Sequence, residues 1–135
     1  MSRQILIRLG DTEKEGMVKG ITYIREEKEL VKVAVPWGDM TLVCDTEEFS
    51  VSVTSLSPGK RLPAYYYKKG MELIYILKGE GEGAKGRVRE GDLLRVSALE
   101  TYWIANSSSQ DPLRFLVICI PPYTQDDCVW VGEET

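Results

Sequence analysis

Residues 49–54 read Phe-Ser-Val-Ser-Val-Thr, apolar and small polar side chains in strict alternation, and this period of two sets the terms for the whole chain. It puts apolar side chains on one face of an extended strand and polar ones on the other. Ser57-Pro58-Gly59 follows at once with turn chemistry. The rhythm then repeats. A strand over Arg61 to Lys68 carries three consecutive tyrosines, Tyr65, Tyr66 and Tyr67, and Lys68-Lys69-Gly70 turns the chain again. Glu72 to Lys78, Leu93 to Val96 and Thr101 to Ala105 are three further short strands. Leu113 to Ile120 is almost continuously apolar, as expected of a strand buried on both faces, and Pro121-Pro122 ends it because proline donates no ladder hydrogen bond. Gly79-Glu80-Gly81-Glu82-Gly83 reads as a loose turn between strands. Its glutamates and the lack of a lysine–serine or lysine–threonine ending exclude a phosphate loop. No stretch sustains helical periodicity over three turns, and short strands at this spacing predict an all-β sandwich or closed barrel.

The first 45 residues are less regular. Arg3 to Leu9, Val18 to Arg25, Leu30 to Val35 and Met40 to Asp45 can each be strands, Pro36-Trp37-Gly38-Asp39 is a tight turn, and Asp11 to Gly16 fits one helical turn. With no linker, repeat or low-complexity segment, residues 1–135 are expected to form one domain. It divides into a β extension over 1–45, a central pattern over 46–122 and a C-terminal tail over 123–135.

Composition narrows the chemistry. There is no histidine, so imidazole metal sites, serine–histidine triads and histidine acid–base catalysis are excluded. The net charge of −4 comes without a basic stripe, which argues against nucleic acid, and no basic helical face suggests a membrane surface. Nor is there an apolar run long enough to span a bilayer or a signal-peptide core ahead of Arg8, so the expected compartment is the cytoplasm. Cys44, Cys119 and Cys128 are too widely spaced for a zinc site or a disulfide framework. Cys44 and Cys119 sit in apolar runs as small core residues, while Asp126 and Asp127 should raise the Cys128 thiol.

Two spacings carry a resemblance. Gly59, five residues, Tyr65, one residue, Tyr67, four residues, Glu72, six residues, Gly79 is the first. Gly91, five residues, Ser97, one residue, Leu99, two residues, Tyr102, three residues, Asn106 is the second. Both resemble the paired motifs of the cupin superfamily at every interval. The resemblance implies an antiparallel β-barrel of the double-stranded β-helix or jelly-roll type, here with additional N-terminal strands. The family pattern places metal-binding histidines where this chain has Tyr65, Tyr67 and Tyr102, a glutamate at Glu72, and proline and glycine where this chain has Ser97 and Leu99. Within the family the chain is distantly similar to ectoine synthase in length and in the runs Phe49-Ser50, Gly79-Glu80-Gly81-Glu82 and Pro121-Pro122. That enzyme holds iron with a glutamate, a tyrosine and a histidine. Only the glutamate has a counterpart, Glu72, with Leu94 and Tyr102 at the other two positions, so its activity does not carry over.

Tyr65 and Tyr67, two apart on a strand, face the same way, and neighbouring strands can bring Glu72 and Tyr102 toward them. Phenols, with a pKa of about 10, are poor ligands for divalent metals, although three phenols and a carboxylate suit ferric iron. The expected site is therefore a metal-free, cofactor-free pocket in which Tyr65, Tyr67, Glu72 and Tyr102 hold a small organic ligand, for sensing or sequestration. The alternative is a small isomerase, lyase or cyclase with Glu72 as base and Tyr102 or Tyr65 as proton donor. A second alternative is a degenerate cupin with only a structural or interaction role. Trp37, Trp103 and Trp130 are core or interface anchors. Trp103 points away from Tyr102, outward, where it suggests the contact of a homodimer.

Overall fold

The computed structural model describes residues 30–131, and every described element is a strand. The strands expected over Arg3 to Leu9 and Val18 to Arg25 and the helical turn over Asp11 to Gly16 lie outside the described residues. In chain order the strands are β1 (Val31–Val35), β2 (Gly38–Asp45), β3 (Ser50–Leu56), β4 (Arg61–Tyr67), β5 (Met71–Lys78), β6 (Glu80–Gly83), β7 (Gly86–Arg89), β8 (Leu93–Val96), β9 (Tyr102–Asn106), β10 (Leu113–Ile120) and β11 (Cys128–Trp130). They form two antiparallel sheets, ordered β1-β2-β3-β10-β5-β8 and β11-β4-β9-β6-β7.

The sheets are not closed into the expected barrel. They face one another as a jelly roll, and side chains from both inner surfaces form a shared core around Leu56, Ile74, Ile76, Ile104, Leu113 and Phe115. Sheets held apart by interdigitated side chains lie about 10 Å apart, twice the spacing at which neighbouring strands pair, so edge-to-edge closure is not available there.

The chain passes from one sheet to the other at corners, and most corners use a residue of positive φ. Gly59 (φ 74°) lies between β3 and β4, Gly79 (φ 96°) between β5 and β6, and Gly91 (φ 94°) between β7 and β8. The spaced glycines of the sequence are thus the points where the backbone must turn left-handed, which glycine does without steric cost. The corner between β8 and β9 has Leu99 (φ 70°) instead, 68% exposed, with its backbone N–H bonded to the Tyr67 carbonyl at 2.7 Å. At the corner between β9 and β10, Asn106 substitutes side chain for backbone. Its amide donates to the carbonyls of Leu56 (3.0 Å) and Asp111 (2.8 Å), and its oxygen accepts the Ser108 N–H (2.9 Å).

Three further expectations need correction. Gly79 to Gly83 is not a loose turn: Glu80 to Gly83 is β6, paired with both β7 and β9. Its glycines are steric necessities, since a Cβ at Gly81 would collide with the Ala105 carbonyl and one at Gly83 with the Tyr102 hydroxyl. Residues 123–135 are not simply a tail, because Cys128 to Trp130 returns as β11 beside β4. This return is fastened by Asp127, whose carboxylate accepts the N–H groups of Lys69 and Gly70, each at 2.9 Å. Finally, β10 is central in its sheet yet not buried on both faces: Leu113, Phe115 and Cys119 are buried, while on the outer face Arg114, Leu116 and Ile118 are half-buried and Ile120 is exposed.

Candidate functional site

Glu72 lies on β5 between Cys119 of β10 and Val96 of β8, in the interior of the six-stranded sheet, and is 1% exposed. Tyr65 and Tyr67 project from β4 of the facing sheet, with Tyr66 between them turned to the other side. The two sheets, unconnected here by strand pairing, are joined by these side chains. The Tyr65 hydroxyl donates to Glu72 Oε1, and the Tyr67 hydroxyl donates to Oε2 at 3.1 Å. The Cys119 thiol stands 3.6 Å from the Tyr67 hydroxyl. The convergence of Tyr65, Tyr67 and Glu72 expected from the motif spacing is therefore present.

The electrostatics follow from burial. Removal from water pushes the Glu72 carboxyl up to about 7, although the two phenolic donors favour its ionised form and oppose the shift. Desolvation, reinforced by the Glu72 charge, drives Tyr65 and Tyr67 well above the usual phenol range. Both phenols are thus held neutral and donate hydrogen bonds to the Glu72 carboxylate. Burial also raises the Cys119 and Cys128 thiols to about 12, with Glu72 the next cause in each case. Asp127 contributes to the Cys128 shift, as its proximity in sequence suggested, but only as a minor cause.

These groups line a cavity of about 670 Å³ between the sheets. Apart from the Tyr65–Glu72–Tyr67 cluster its wall is mainly apolar and aromatic, including Leu62, Phe115, Val117 and Trp130. Rings follow one another along it. Trp37 and Trp130 have centroids 5.8 Å apart, Trp130 and Tyr65 5.4 Å, Tyr65 and Tyr67 5.7 Å, and Tyr67 and Tyr123 6.4 Å.

Tyr102 does not join this wall. It is buried and opposite Tyr65 in the β4–β9 register, but its hydroxyl is directed at Gly83 and has no hydrogen-bond partner among the described residues. Leu94, at the other ligand position of the ectoine-synthase pattern, packs against the core. Trp103 faces away from Tyr102, as expected, and the Arg61 guanidinium covers its ring at 4.3 Å from the centroid. Cys44 is half-buried and lines the cavity rather than filling the core.

The sequence reading missed the contribution of Asp45, Cys119, Cys128, Tyr123 and Trp130 to the cavity. Only Trp130 left a signal, as an aromatic residue at alternating distance from Cys128. Its placement opposite Tyr65 depends on β11 docking in register.

The cupin resemblance implies a metal at the positions of Tyr65, Tyr67 and Glu72, so the fit of a metal can be tested on the donor set. One carboxylate already engaged by two neutral phenols is a poor match, and among the described residues no group of three or more His, Cys, Asp or Glu side chains is placed to hold an ion.

An uncharacterised conserved protein from Klebsiella pneumoniae with a double-stranded β-helix domain matches with a TM-score of 0.68 at 18% identity, over 83% of this chain and 99% of that one. The polyketide cyclase RemF from Streptomyces resistomycificus matches with a TM-score of 0.69 at 14% identity, over 82% of this chain and 86% of that one. KdgF from a Halomonas species gives a TM-score of 0.68 at 14% identity, over 78% and 98%. No family model matches the sequence, and no curated protein does. The chain has the double-stranded β-helix fold. Among the described residues no helix is long and apolar enough to cross a membrane.

Proposed function

We propose that the protein binds a small organic ligand between its two sheets, without a metal, and that Tyr65, Tyr67 and Glu72 orient the ligand's polar end. One observation carries this reading: a cavity of about 670 Å³ has a mainly apolar and aromatic wall that includes a buried, hydrogen-bonded Tyr–Glu–Tyr cluster. Cavities of this size, mostly apolar with a few convergent polar groups, are typical of small-molecule sites. Tyr102, its hydroxyl against Gly83, has no direct part in this reading.

A second reading is favoured by the Glu72 carboxyl, raised to about 7 in apolar surroundings. A general base or acid is most effective when its pKa lies near the working pH. Glu72 would then exchange the proton in an isomerisation, elimination or cyclisation, with Tyr65 and Tyr67 holding the carboxyl in place.

The test is a thermal-shift screen of small cyclic and aromatic compounds, with the fluorescence of Trp37 and Trp130 as a second readout. Compounds that stabilise the native protein should lose much of their effect on Val117→Trp, which narrows the cavity. Equal stabilisation of that variant would overturn the site, and stoichiometric iron or manganese in the purified protein would overturn metal independence. For any compound that is turned over, Glu72→Gln should abolish turnover and retain binding. Loss of affinity alone supports the binder.

A further inference from the structure

The Tyr65–Glu72–Tyr67 cluster spends its hydrogen atoms on itself, and this limits what it can offer a ligand. Tyr65 donates its phenolic hydrogen to Glu72 Oε1, and Tyr67 donates its own to Oε2. The Cys119 thiol stands 3.6 Å from the Tyr67 oxygen and 4.0 Å from Oε2, so its hydrogen too is taken up within the cluster. An ionised carboxylate accepts about four hydrogen bonds and a phenol oxygen about two, so lone pairs remain where donors do not. The cluster is therefore an acceptor surface, set in a mainly apolar wall that includes Leu62, Phe115 and Val117. Ser50, Ser52 and Thr54 line the same cavity, but a hydroxyl can donate or accept and does not choose between ligands.

A ligand group that brings only lone pairs, such as a ketone, ether or carboxylate, would set acceptor against acceptor at this cluster. An ammonium head brings hydrogens, but it would give up its water to a mainly apolar space at high cost. A neutral hydroxyl brings one hydrogen at a lower cost, and O–H to carboxylate bonds are short and strong. The rings of Trp37, Trp130, Tyr65 and Tyr67 follow one another along the wall with successive centroids 5.4 to 5.8 Å apart. A ring placed among them gains edge and face contacts beyond its burial.

We propose that the ligand is a neutral hydroxyaromatic compound, a phenol or aryl carbinol, whose hydroxyl donates to Glu72 and whose ring lies against Trp130 and Tyr65. The proposal rests on the reading of the cavity as a ligand site and specifies its chemistry. The same arrangement separates a hydroxy compound from the carbonyl compound of the same skeleton, which has no hydrogen to give.

The test uses pairs of probes that share a skeleton and differ in the donor. 1-Indanol and 1-indanone have the same heavy atoms, and 2-naphthol and 2-methylnaphthalene have the same shape. Calorimetric titrations at pH 8, where Glu72 is mostly ionised, should show the hydroxyl member of each pair binding at least about tenfold tighter, equivalent to about 1.4 kcal/mol. Glu72→Gln, which places N–H donors in the cluster, should remove most of the indanol preference. Infrared difference spectra of the native protein need no variant and keep the test usable if Glu72→Gln folds poorly. Indanol should shift a carboxylate stretch, and indanone should leave it unmoved. A carbonyl or methyl member that binds as tightly as its hydroxyl partner would overturn the assignment and leave the cavity reading standing. So would an indanol preference unchanged in Glu72→Gln, or a carboxylate stretch that indanol does not move. Failure of all four probes to bind would also overturn it. The cavity reading itself fails only if the broader screen finds no compound whose effect Val117→Trp reduces.

Discussion

Replacing Glu72 by glutamine removes one buried charge and little else, so the pH dependence of stability reports directly on how that charge is held. The folded protein binds the Glu72 proton more tightly than the unfolded chain does, with a pKa of about 7 against an ordinary 4.5. Between those values the native state carries more protons than the unfolded state, so stability is fully present below 4.5, falls as pH rises, and levels off above 7. At about 1.4 kcal/mol per pH unit the whole window is worth about 3 kcal/mol, and the part between pH 5 and pH 8 about 2–3 kcal/mol. The Cys119 and Cys128 thiols, at about 12, and the phenols of Tyr65 and Tyr67, higher still, do not titrate in that interval. Glutamine resembles the protonated acid in shape, so Glu72→Gln should match the native protein closely at pH 5 and exceed its stability by about 2–3 kcal/mol at pH 8. Urea unfolding of both proteins across this range measures the difference, and with ordinary denaturant slopes the pH 8 midpoints should separate by about 1–2 M. Groups elsewhere titrate identically in both proteins and cancel. If the two profiles run parallel, Glu72 is not desolvated or has a counter-charge nearby, and the reasoning fails.

Two other perturbations test the corners and the β6 contact. Leu99→Gly should stabilise the protein by about 0.5–1 kcal/mol, since relief of a left-handed leucine (about 1–2 kcal/mol) exceeds the added freedom of glycine in the unfolded chain. A melting temperature higher by about 2–4 °C would show it, and an unchanged or lower one would contradict it. Gly83→Ala should cost about 1–3 kcal/mol by forcing a methyl group onto the Tyr102 hydroxyl, and Tyr102→Phe should recover part of that cost. Tyr102→Phe alone should be neutral or stabilising, because it removes a buried hydroxyl with no partner among the described residues. A double-mutant cycle with no coupling would place the hydroxyl elsewhere.

Much of the fold was legible from residue order because its signals are local. Alternation marked β3, the strands over Leu93 to Val96 and Leu113 to Ile120 match β8 and β10 in extent, and the glycines at 59, 79 and 91 marked left-handed corners. The Tyr65–Tyr67 pair was legible for the same reason, since a period of two obliges both to share a face. Glu80 to Gly83 misled because glycine-rich sequence is the usual mark of a turn. Here glycine was demanded by a carbonyl and a hydroxyl approaching from other strands, which no local pattern encodes.

What the amino-acid order determined alone was the period of the strands, the places where the chain must bend, and the absence of imidazole chemistry. The tertiary structure decided the rest. It left the sheets facing each other instead of closing, turned the Tyr102 hydroxyl toward Gly83, and brought β11 back so that Trp130 stands against Tyr65. Those outcomes depend on register and packing between segments far apart in the chain. Side-chain direction on a strand follows from its neighbours in sequence, but the company a side chain keeps is set by which distant strand docks beside it.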